Sequence, residues 1–184
     1  MIYYIADCHF GHKGAITFDK RPFQDVAVMD KYMVDAWNNR VRGNDDVIVV
    51  GDLSFMNQQD TQVIVSQLRG RITLVRGNHD RFSRGKSADL SRFVKVVDYL
   101  DMSDNGRRVI CSHYPMLCYP HQYRGAIMMF GHIHNNAEMG VLKEAAKNLR
   151  SIGTPCRMVN CFCGYSGFVP LTLDEWLCID EAIL

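Results

Sequence analysis

Five short polar clusters in this sequence each follow an apolar run and carry side chains that can bind a metal ion. The clusters are Asp7-x-His9, Gly51-Asp52, Gly77-Asn78-His79-Asp80, Ser112-His113 and Gly131-His132-x-His134. The apolar runs predict strands, and α/β proteins form their sites at the carboxyl ends of strands. A single cluster would be weak evidence, because an Asp after a buried strand, such as Asp52, is as often the N-cap of the next helix. Five clusters together predict one common site.

The residue types in these clusters indicate a transition-metal site. Nitrogen comes from five of the seven histidines, namely His9, His79, His113, His132 and His134. Oxygen comes from Asp7, Asp52 and Asn78, and this mixed ligand set suits Mn, Fe, Zn or Ni better than Ca or Mg. There are more candidate ligands than one ion needs. Two ions about 3.5–4 Å apart serve in-line displacement at phosphorus, and the leaving alkoxide then needs a proton donor nearby.

The spacing within the clusters suits chelation. In a strand, the residues of a D-x-H or H-x-H pair point to the same side, so Asp7 with His9 and His132 with His134 are expected to form pairs. The same alternation turns Cys8 away from the site, although a thiol there could also bind a soft metal. His12 could be a third ligand, a phosphate contact or a surface histidine, and we favour a substrate contact.

Basic residues follow Asp80, the last residue of the Gly77 cluster. They are Arg81, Arg84, Lys86, Arg92 and Lys95. This segment, residues 81–95, could be a solvated loop with a short helix. It could also be a basic rim that attracts a phosphorylated substrate, with Arg81 as a contact.

The elements that must position these clusters alternate between strand and helix. Strands are predicted over 2–6, 47–50 and 71–76, and helices over 24–42 and 58–69. The first helix should bury Met29, Met33 and Trp37, and the second should bury Val63, Ile64 and Leu68. Further strands are predicted over 94–97, 99–102, 107–111 and 157–160, with a hairpin turn at Asp104-Asn105-Gly106. A helix over 141–150 and a capping box at Thr172–Glu175 complete the pattern, which indicates an α/β fold with a second sheet.

Composition limits the classes of function. The chain has 184 residues, 47% of them hydrophobic, and a net charge of +1, which fits one domain over 1–184 and makes nucleic acid an improbable partner. We expect no leader peptide and no membrane partner, since no apolar run reaches the roughly 20 residues that span a bilayer. The seven cysteines are odd in number and lack C-x-x-C spacing. They predict reduced thiols in a cytoplasmic protein.

The motifs D-x-H, G-D, G-N-H-D, a lone His and G-H-x-H, in this order, resemble those of the calcineurin-like metallophosphoesterases, particularly the small uncapped bacterial and phage-type members. The resemblance runs from Ile2 to His134, and no motif position departs from the pattern. It implies a fold of two facing mixed β-sheets flanked by α-helices, with two metals at the strand ends. It also implies ligand roles, in which Asp7, His9 and His134 hold one metal and Asn78, His113 and His132 hold the other. Asp52 would bridge both ions, His79 would protonate the leaving oxygen, and Asp80 would orient His79.

The function that this resemblance implies is a metal-dependent phosphodiesterase acting on small, nucleotide-type phosphate esters. Its cofactors would be two divalent transition-metal ions, with Mn preferred and Fe, Zn or Ni as alternatives. A phosphomonoesterase or phosphoprotein phosphatase remains open, as does a metal-binding interaction scaffold with the same fold. A nuclease lacks support, because the chain is almost neutral and has no additional domain to bind a strand. The oligomeric state is left open.

Overall fold

The structure, a computed structural model, describes residues 1–85 and 88–184. Lys86, part of the predicted basic segment, lies outside the described residues. The strands are β1 (Ile2–Ile5), β2 (Asp46–Val50), β3 (Arg71–Val75), β4 (Phe93–Val97), β5 (Leu100–Asp104), β6 (Arg107–Cys111), β7 (Ile127–Phe130), β8 (Met158–Asn160) and β9 (Leu171–Thr172). The helices are α1 (Lys13–Phe18), α2 (Val26–Arg40), α3 (Gln58–Gln67), α4 (Glu138–Ser151) and α5 (Leu173–Trp176).

These strands form two mixed sheets. The first has the order β4-β3-β2-β1-β9, in which β1 to β4 pair in parallel and β9 is antiparallel to β1. The second has the order β5-β6-β7-β8, with only β5 antiparallel to its neighbour. The expected second sheet is therefore present. One strand differs from expectation, because β4 continues the first sheet beside β3.

Alternation along the strands buries both faces of both sheets. Tyr4 of β1 and Val109 of β6 lie in the core between the sheets. Tyr3, one residue earlier, lies in the core that α2 and α3 share with the first sheet. Ile110, one residue later, lies in the core that α4 shares with the second. The molecule is thus a four-layer sandwich of helices, sheet, sheet and helix, which confirms the predicted fold class.

Helix α2 follows the predicted pattern. Met29, Met33 and Trp37 are all buried, and the Asp25 side chain accepts the Val28 N–H at the N-terminus of the helix. Residues three and four apart share one face of a helix, so this stripe was readable from the sequence.

The predicted inward face of α3 is confirmed at Leu68, which is 2% exposed, and at Ile64, which packs against the core, but it is wrong at Val63. Val63 is 58% exposed, whereas Thr61 and Val65 are fully buried. Val63 and Val65 are two positions apart and cannot both face the core. The buried Thr61 hydroxyl makes a 2.8 Å hydrogen bond with Ser54, a polar contact that apolar spacing cannot reveal. Helix α1 is also missing from the sequence prediction, since six residues are too few for periodicity to show.

Two local signals were accurate. Asn105 and Gly106 both have positive φ, at 48° and 80°, as a two-residue hairpin turn between β5 and β6 requires. Thr172 and Glu175 form the predicted capping box at α5. Among the described residues, no helix is both long and apolar enough to span a bilayer. The assignment of residues 1–184 to one domain stays a prediction.

Candidate metal centre

All five polar clusters meet at the carboxyl ends of strands from both sheets. Three follow β1, β2 and β3 of the first sheet, and two follow β6 and β7 of the second. Within the first sheet the Asp7 N–H donates to Gly51 O, and within the second the Gly131 N–H donates to His113 O, each at 3.0 Å. Between the sheets, the His132 N–H donates to Asp7 Oδ1 at 3.0 Å. The site therefore lies where the two sheets meet.

The backbone at this site is unusual. Among the described residues, nine that are not glycine have a positive φ, and five of these are predicted ligands. They are Asp7 (57°), His9 (54°), Asp52 (52°), His132 (74°) and His134 (49°). Such conformations are uncommon for residues with a side chain and concentrate at functional sites. Five of the seven predicted ligands are thus presented by left-handed backbone conformations, so strand alternation was the wrong reason for expecting Asp7 with His9 and His132 with His134.

The first group of candidate ligands contains Asp7, His9 and His134. The Nε2 atoms of His9 and His134 are 3.2 Å apart, and His134 Nε2 lies 3.5 Å from Asp7 Oδ1. Ligand atoms of all three lie within 4.8 Å of one another. Two imidazole nitrogens aimed at each other beside a carboxylate repel unless a cation or proton lies between them. This donor set therefore fits a divalent metal ion.

Residues that the sequence did not single out support this group. His134 Nδ1 lies 2.6 Å from Asp19 Oδ1, and Asp19 is paired with Arg21 at 2.8 Å. Arg21 also donates to the carbonyls of Cys8 at 2.8 Å and Asp7 at 2.9 Å. A carboxylate behind a ligating histidine is a common supporting arrangement. Asp19 and His134 are 115 residues apart in the sequence, so only the fold reveals their contact.

The second group contains Asn78, His113 and His132. Asn78 Oδ1 lies 3.1 Å from His113 Nε2 and 3.0 Å from His132 Nδ1. His113 Nδ1 lies 3.1 Å from the Val50 carbonyl. Only a protonated Nδ1 can donate there, so Nε2 of neutral His113 carries the lone pair that faces the site.

Asp52 lies between the two groups. Its Oδ2 atom is 3.7 Å from His9 Nε2 and 3.4 Å from His113 Nε2, and its Oδ1 accepts the His79 backbone N–H at 2.8 Å. Asp7 also approaches the second group, because ligand atoms of Asp7, Asp52 and His113 lie within 4.8 Å of one another. This double position of Asp7 was not predicted.

Three glycines leave space for the ligands. A Cβ atom on Gly51 would lie 2.2 Å from His113 Nδ1, one on Gly77 would lie 2.0 Å from Asp52 Oδ1, and one on Gly131 would lie 2.7 Å from Asp7 Oδ2. Gly77 does not have a positive φ. It is therefore required by the close approach of Asp52 rather than by a left-handed backbone conformation.

The protonation states suit metal binding. Burial lowers the pKa of His9 to about 3, although Asp7 and Asp52 act to raise it. Burial acts to raise the pKa of Asp52, but a proton on the neighbouring His113 ring, through a hydrogen bond and its charge, lowers it to about 2. For His134, burial acts to lower the pKa, but hydrogen bonds with Asp19 and Asp7 raise it to about 9. His9 is thus neutral and Asp52 ionised at neutral pH, whereas a metal must displace a proton from His134.

Asp80 does not make the predicted contact with His79. Its Oδ2 accepts the backbone N–H groups of Gly77 at 2.8 Å and Asp52 at 2.9 Å, and its Oδ1 accepts that of Leu53 at 2.8 Å. Nδ1 of His79 has no partner among the described residues. Asp80 points into the protein because leaving these buried amide N–H groups without an acceptor would cost more free energy than the loss of a contact with the half-buried His79. It holds the Asp52 turn against the Asn78 turn and does not orient His79.

The two predicted substrate contacts lie on different sides of His79. His12 lines the cavity over the ligands, which has a volume of about 170 Å³ and is also lined by His79. Arg81 lines an adjoining cavity of about 370 Å³, again shared with His79. All seven predicted ligands therefore come together, with His79 at the edge of the cavity above them.

Comparison with known proteins found similarity in fold and, separately, in sequence. No family model matches it. Its fold is similar to that of the protein of unknown function AQ665 from Aquifex aeolicus, with a TM-score of 0.71, 22% identity, and coverage of 95% of this chain and 96% of that one. A predicted phosphoesterase from Streptococcus pneumoniae aligns over 72% of this chain and 62% of its own, at 16% identity, but its TM-score of 0.37 is too low to support a conclusion.

The sequence comparison gives a firmer relation. The uncharacterized protein MJ1445 from Methanocaldococcus jannaschii is 35% identical over 137 residues, which cover 73% of this chain and 70% of the relative. Identity at this level over most of both chains indicates common descent. The chain therefore belongs to the same family as MJ1445.

Proposed function

We propose that this protein is a metal-dependent phosphoesterase that hydrolyses small, nucleotide-type phosphodiesters. The observation that carries the proposal is the position of Asp52 Oδ2, which lies 3.7 Å from His9 Nε2 of the first group and 3.4 Å from His113 Nε2 of the second. A single carboxylate between two nitrogen-rich groups is what two neighbouring divalent ions require. Phosphoryl displacement is the reaction that such paired ions serve.

The ligand assignments of the proposal follow the two groups. Asp7, His9 and His134 would hold one divalent ion and Asn78, His113 and His132 the other, with Asp52 shared. The mixed nitrogen and oxygen ligands favour Mn, with Fe, Zn or Ni as alternatives. When bound, the ions would supply Lewis-acid stabilisation of the negative charge that develops at phosphorus.

His79 is the proposed catalytic acid. In the hydrolysis, the oxygen of water forms a bond to phosphorus and the water releases a proton to solvent. The bond from phosphorus to the leaving oxygen breaks, and the leaving oxygen takes a proton from His79, which regains one from solvent. His79 is half-buried and lines both the cavity over the ligands and the adjoining one. Its Nδ1 has no hydrogen-bond partner among the described residues, so this nitrogen is not committed to another acceptor. It can therefore donate to an oxygen that departs toward the adjoining cavity.

The first experiment is hydrolysis of bis(4-nitrophenyl) phosphate and 4-nitrophenyl phosphate by chelator-treated protein. Mn, Fe(II), Zn, Ni and Mg are added back separately. We expect turnover of the diester that depends on a transition metal. A preference for the monoester would instead favour a phosphomonoesterase or phosphoprotein phosphatase. No turnover with any metal, while metal still binds, would favour an interaction scaffold and reject the proposal.

The His79→Ala variant tests the acid directly. Because no predicted ligand is removed, we expect unchanged metal content by elemental analysis and a rate of diester hydrolysis about 10²–10⁴-fold lower, as for other general acids. His121→Ala is the matched control, since His121 lines a separate cavity and pairs with Asp101. A near-normal rate for His79→Ala would remove the assigned role.

A further inference from the structure

The adjoining cavity lies beside the metal centre without containing any of its seven candidate ligands. His79 lines both cavities, and the adjoining one has a volume of about 370 Å³. Small-molecule sites run from about 300 to 1,000 Å³. The space is therefore large enough for a substantial organic group that begins at His79.

One wall of this cavity is an exposed aromatic ring. Phe55 is 45% exposed and stacks on His12 with ring centroids 4.0 Å apart and an interplanar angle of 8°. His12 lines the cavity over the ligands, whereas Phe55 lines the adjoining cavity. His12, on the side of the metal centre, thus holds the Phe55 ring in place by stacking. A planar ring in the adjoining cavity can stack on Phe55 in turn.

A second part of the wall is cationic. Arg81 and Arg84 line the cavity and both are exposed. In the described part of the chain, no carboxylate forms an ion pair with either guanidinium. Arg84 Nη2 donates to the Gly77 carbonyl at 3.3 Å, which ties it to the turn that carries Asn78. Guanidinium groups bind phosphate through paired N–H donors, so these two residues favour an anionic group.

We propose that the adjoining cavity binds the leaving group of the substrate and that this group is a nucleotide, with its base on Phe55 and its own phosphate at Arg81 and Arg84. The inference rests on the proposed function and deepens it by naming the class of leaving group. His79 lies between the two cavities, so the bond that breaks is the one facing the nucleotide. The nucleotide then leaves as an alcohol, and the other half of the diester keeps the phosphoryl group that is attacked.

The test uses metal-free protein, so that binding is measured without turnover. The protein carries ¹³C-methyl methionine, and the Met56 methyl group reports on the cavity that it lines; its signal is assigned by Met56→Leu. The probes are adenosine 5′-monophosphate, adenosine and ribose 5-phosphate. We expect a saturable shift of the Met56 signal, with the nucleotide bound about tenfold or more tightly than adenosine or ribose 5-phosphate.

Variants separate the two contacts. Phe55→Ala should weaken the nucleotide and adenosine by about tenfold but leave ribose 5-phosphate unchanged. Arg81→Gln should weaken the nucleotide and ribose 5-phosphate but not adenosine. Phe55→Leu, which keeps apolar volume without an aromatic face, gives the stacking test if the alanine variant does not fold. Tyr123→Ala and Arg124→Gln, which alter a separate cavity, are the matched controls and should bind like the unmodified protein.

Two results would overturn the inference. One is the absence of a saturable Met56 shift, and the other is nucleotide binding that neither Phe55→Ala nor Arg81→Gln weakens. Neither result depends on metal or turnover. An enzyme inactive with every metal would reject the proposed function, whereas failure of nucleotide binding with intact diester hydrolysis would reject only the leaving-group site.

Discussion

The two groups of candidate ligands are held in different ways. In the first, His134 is backed by the Asp19 carboxylate at 2.6 Å, and the His134 carbonyl accepts a hydrogen bond from Asn160 at 2.7 Å. In the second, His132 is exposed, and its ring packs against Tyr114 with centroids 4.5 Å apart. His113 in that group is backed only by a neutral carbonyl, at 3.1 Å. One group is thus fixed by charged residues, and the other is more open.

This difference predicts unequal metal binding. A carboxylate behind an imidazole increases its basicity and fixes its orientation, so both the affinity and the geometry of the ion improve. We therefore expect the first group to bind its ion more tightly and the second to exchange its ion more readily with solvent. Since an exchangeable position next to a fixed one can accept substrate oxygen, the asymmetry is compatible with catalysis.

Asp52→Asn is expected to affect both groups at once, because it removes the carboxylate that lies between them. We expect both metals to weaken together by about a hundredfold or more, since even a supporting contact is worth about 10- to 100-fold. Chelator competition and elemental analysis measure the loss, and Asp46→Asn, which alters a partly exposed carboxylate paired with Arg71, is the control. Loss of a single ion would contradict the bridging role.

Asp19→Asn is expected to affect the two groups unequally, because it alters only the first group. We expect the tighter metal-binding step to weaken by about 10- to 100-fold while the weaker step stays the same. Asp98→Asn, which removes an exposed partner of Arg76, provides the control. Equal weakening of both steps in a competitive titration would show that Asp19 supports the whole site.

Gly77→Ala tests the contact that holds the two groups together. A Cβ atom there would lie 2.0 Å from Asp52 Oδ1 and 2.4 Å from Asp52 N, whereas one on Gly43 would meet nothing within 4 Å. Forcing atoms into packed space costs about 1–3 kcal/mol, so we expect a lower free energy of unfolding for Gly77→Ala. Gly43→Ala is the matched control, and urea unfolding is the measurement. Equal stability of the two variants would refute the close approach.

The fold was largely predictable because its signals are local. Helix α2 shows a 3.6-residue apolar stripe, the Asn105-Gly106 turn adopts the two positive φ angles that its residues favour, and Thr172 with Glu175 forms a capping box. The errors arose where local signals conflict or are absent. Val63 is as apolar as Val65 but faces solvent, and the pairing of β4 with β3 depends on contacts that no short window of sequence contains.

The site was predictable in its membership but not in its construction. The order of the polar clusters identified seven residues that the fold brings together, while their roles as ligands remain a proposal. Residue type does not reveal where a carboxylate points, so Asp80 was assigned to His79 although it binds the amides of Gly77, Asp52 and Leu53. The contact of Asp19 with His134 spans 115 residues, and the left-handed turns that present the ligands appear only in three dimensions.

Asp30 provides the smallest test of how the first group is held. Both of its carboxylate oxygens accept the Gly11 N–H at 3.1 Å, in the loop that follows His9, and the residue is 8% exposed. Burial raises the pKa of Asp30 to about 6, although the Gly11 amide and Arg21 act to lower it. The unfolded chain therefore releases this proton at lower pH than the folded protein. The contribution of Asp30 to the free energy of unfolding therefore falls as the pH rises from about 4 to about 6. Above that range the full cost of burying the ionised carboxylate is present.

Asp30→Asn should accordingly stabilise the protein at pH 7.5, by about 1–2 kcal/mol once partial access of solvent is allowed for. The gain should disappear near pH 4, where the carboxyl group of the unmodified protein is already protonated. Asparagine keeps an oxygen that can accept the Gly11 N–H, so metal affinity should not change. Asp35→Asn on the same helix, where the exposed carboxylate pairs with Lys31, should shift stability by less than about 0.5 kcal/mol. Urea unfolding at both pH values gives the answer, and a less stable Asp30→Asn at pH 7.5 would mean that the negative charge itself holds the loop of the first group.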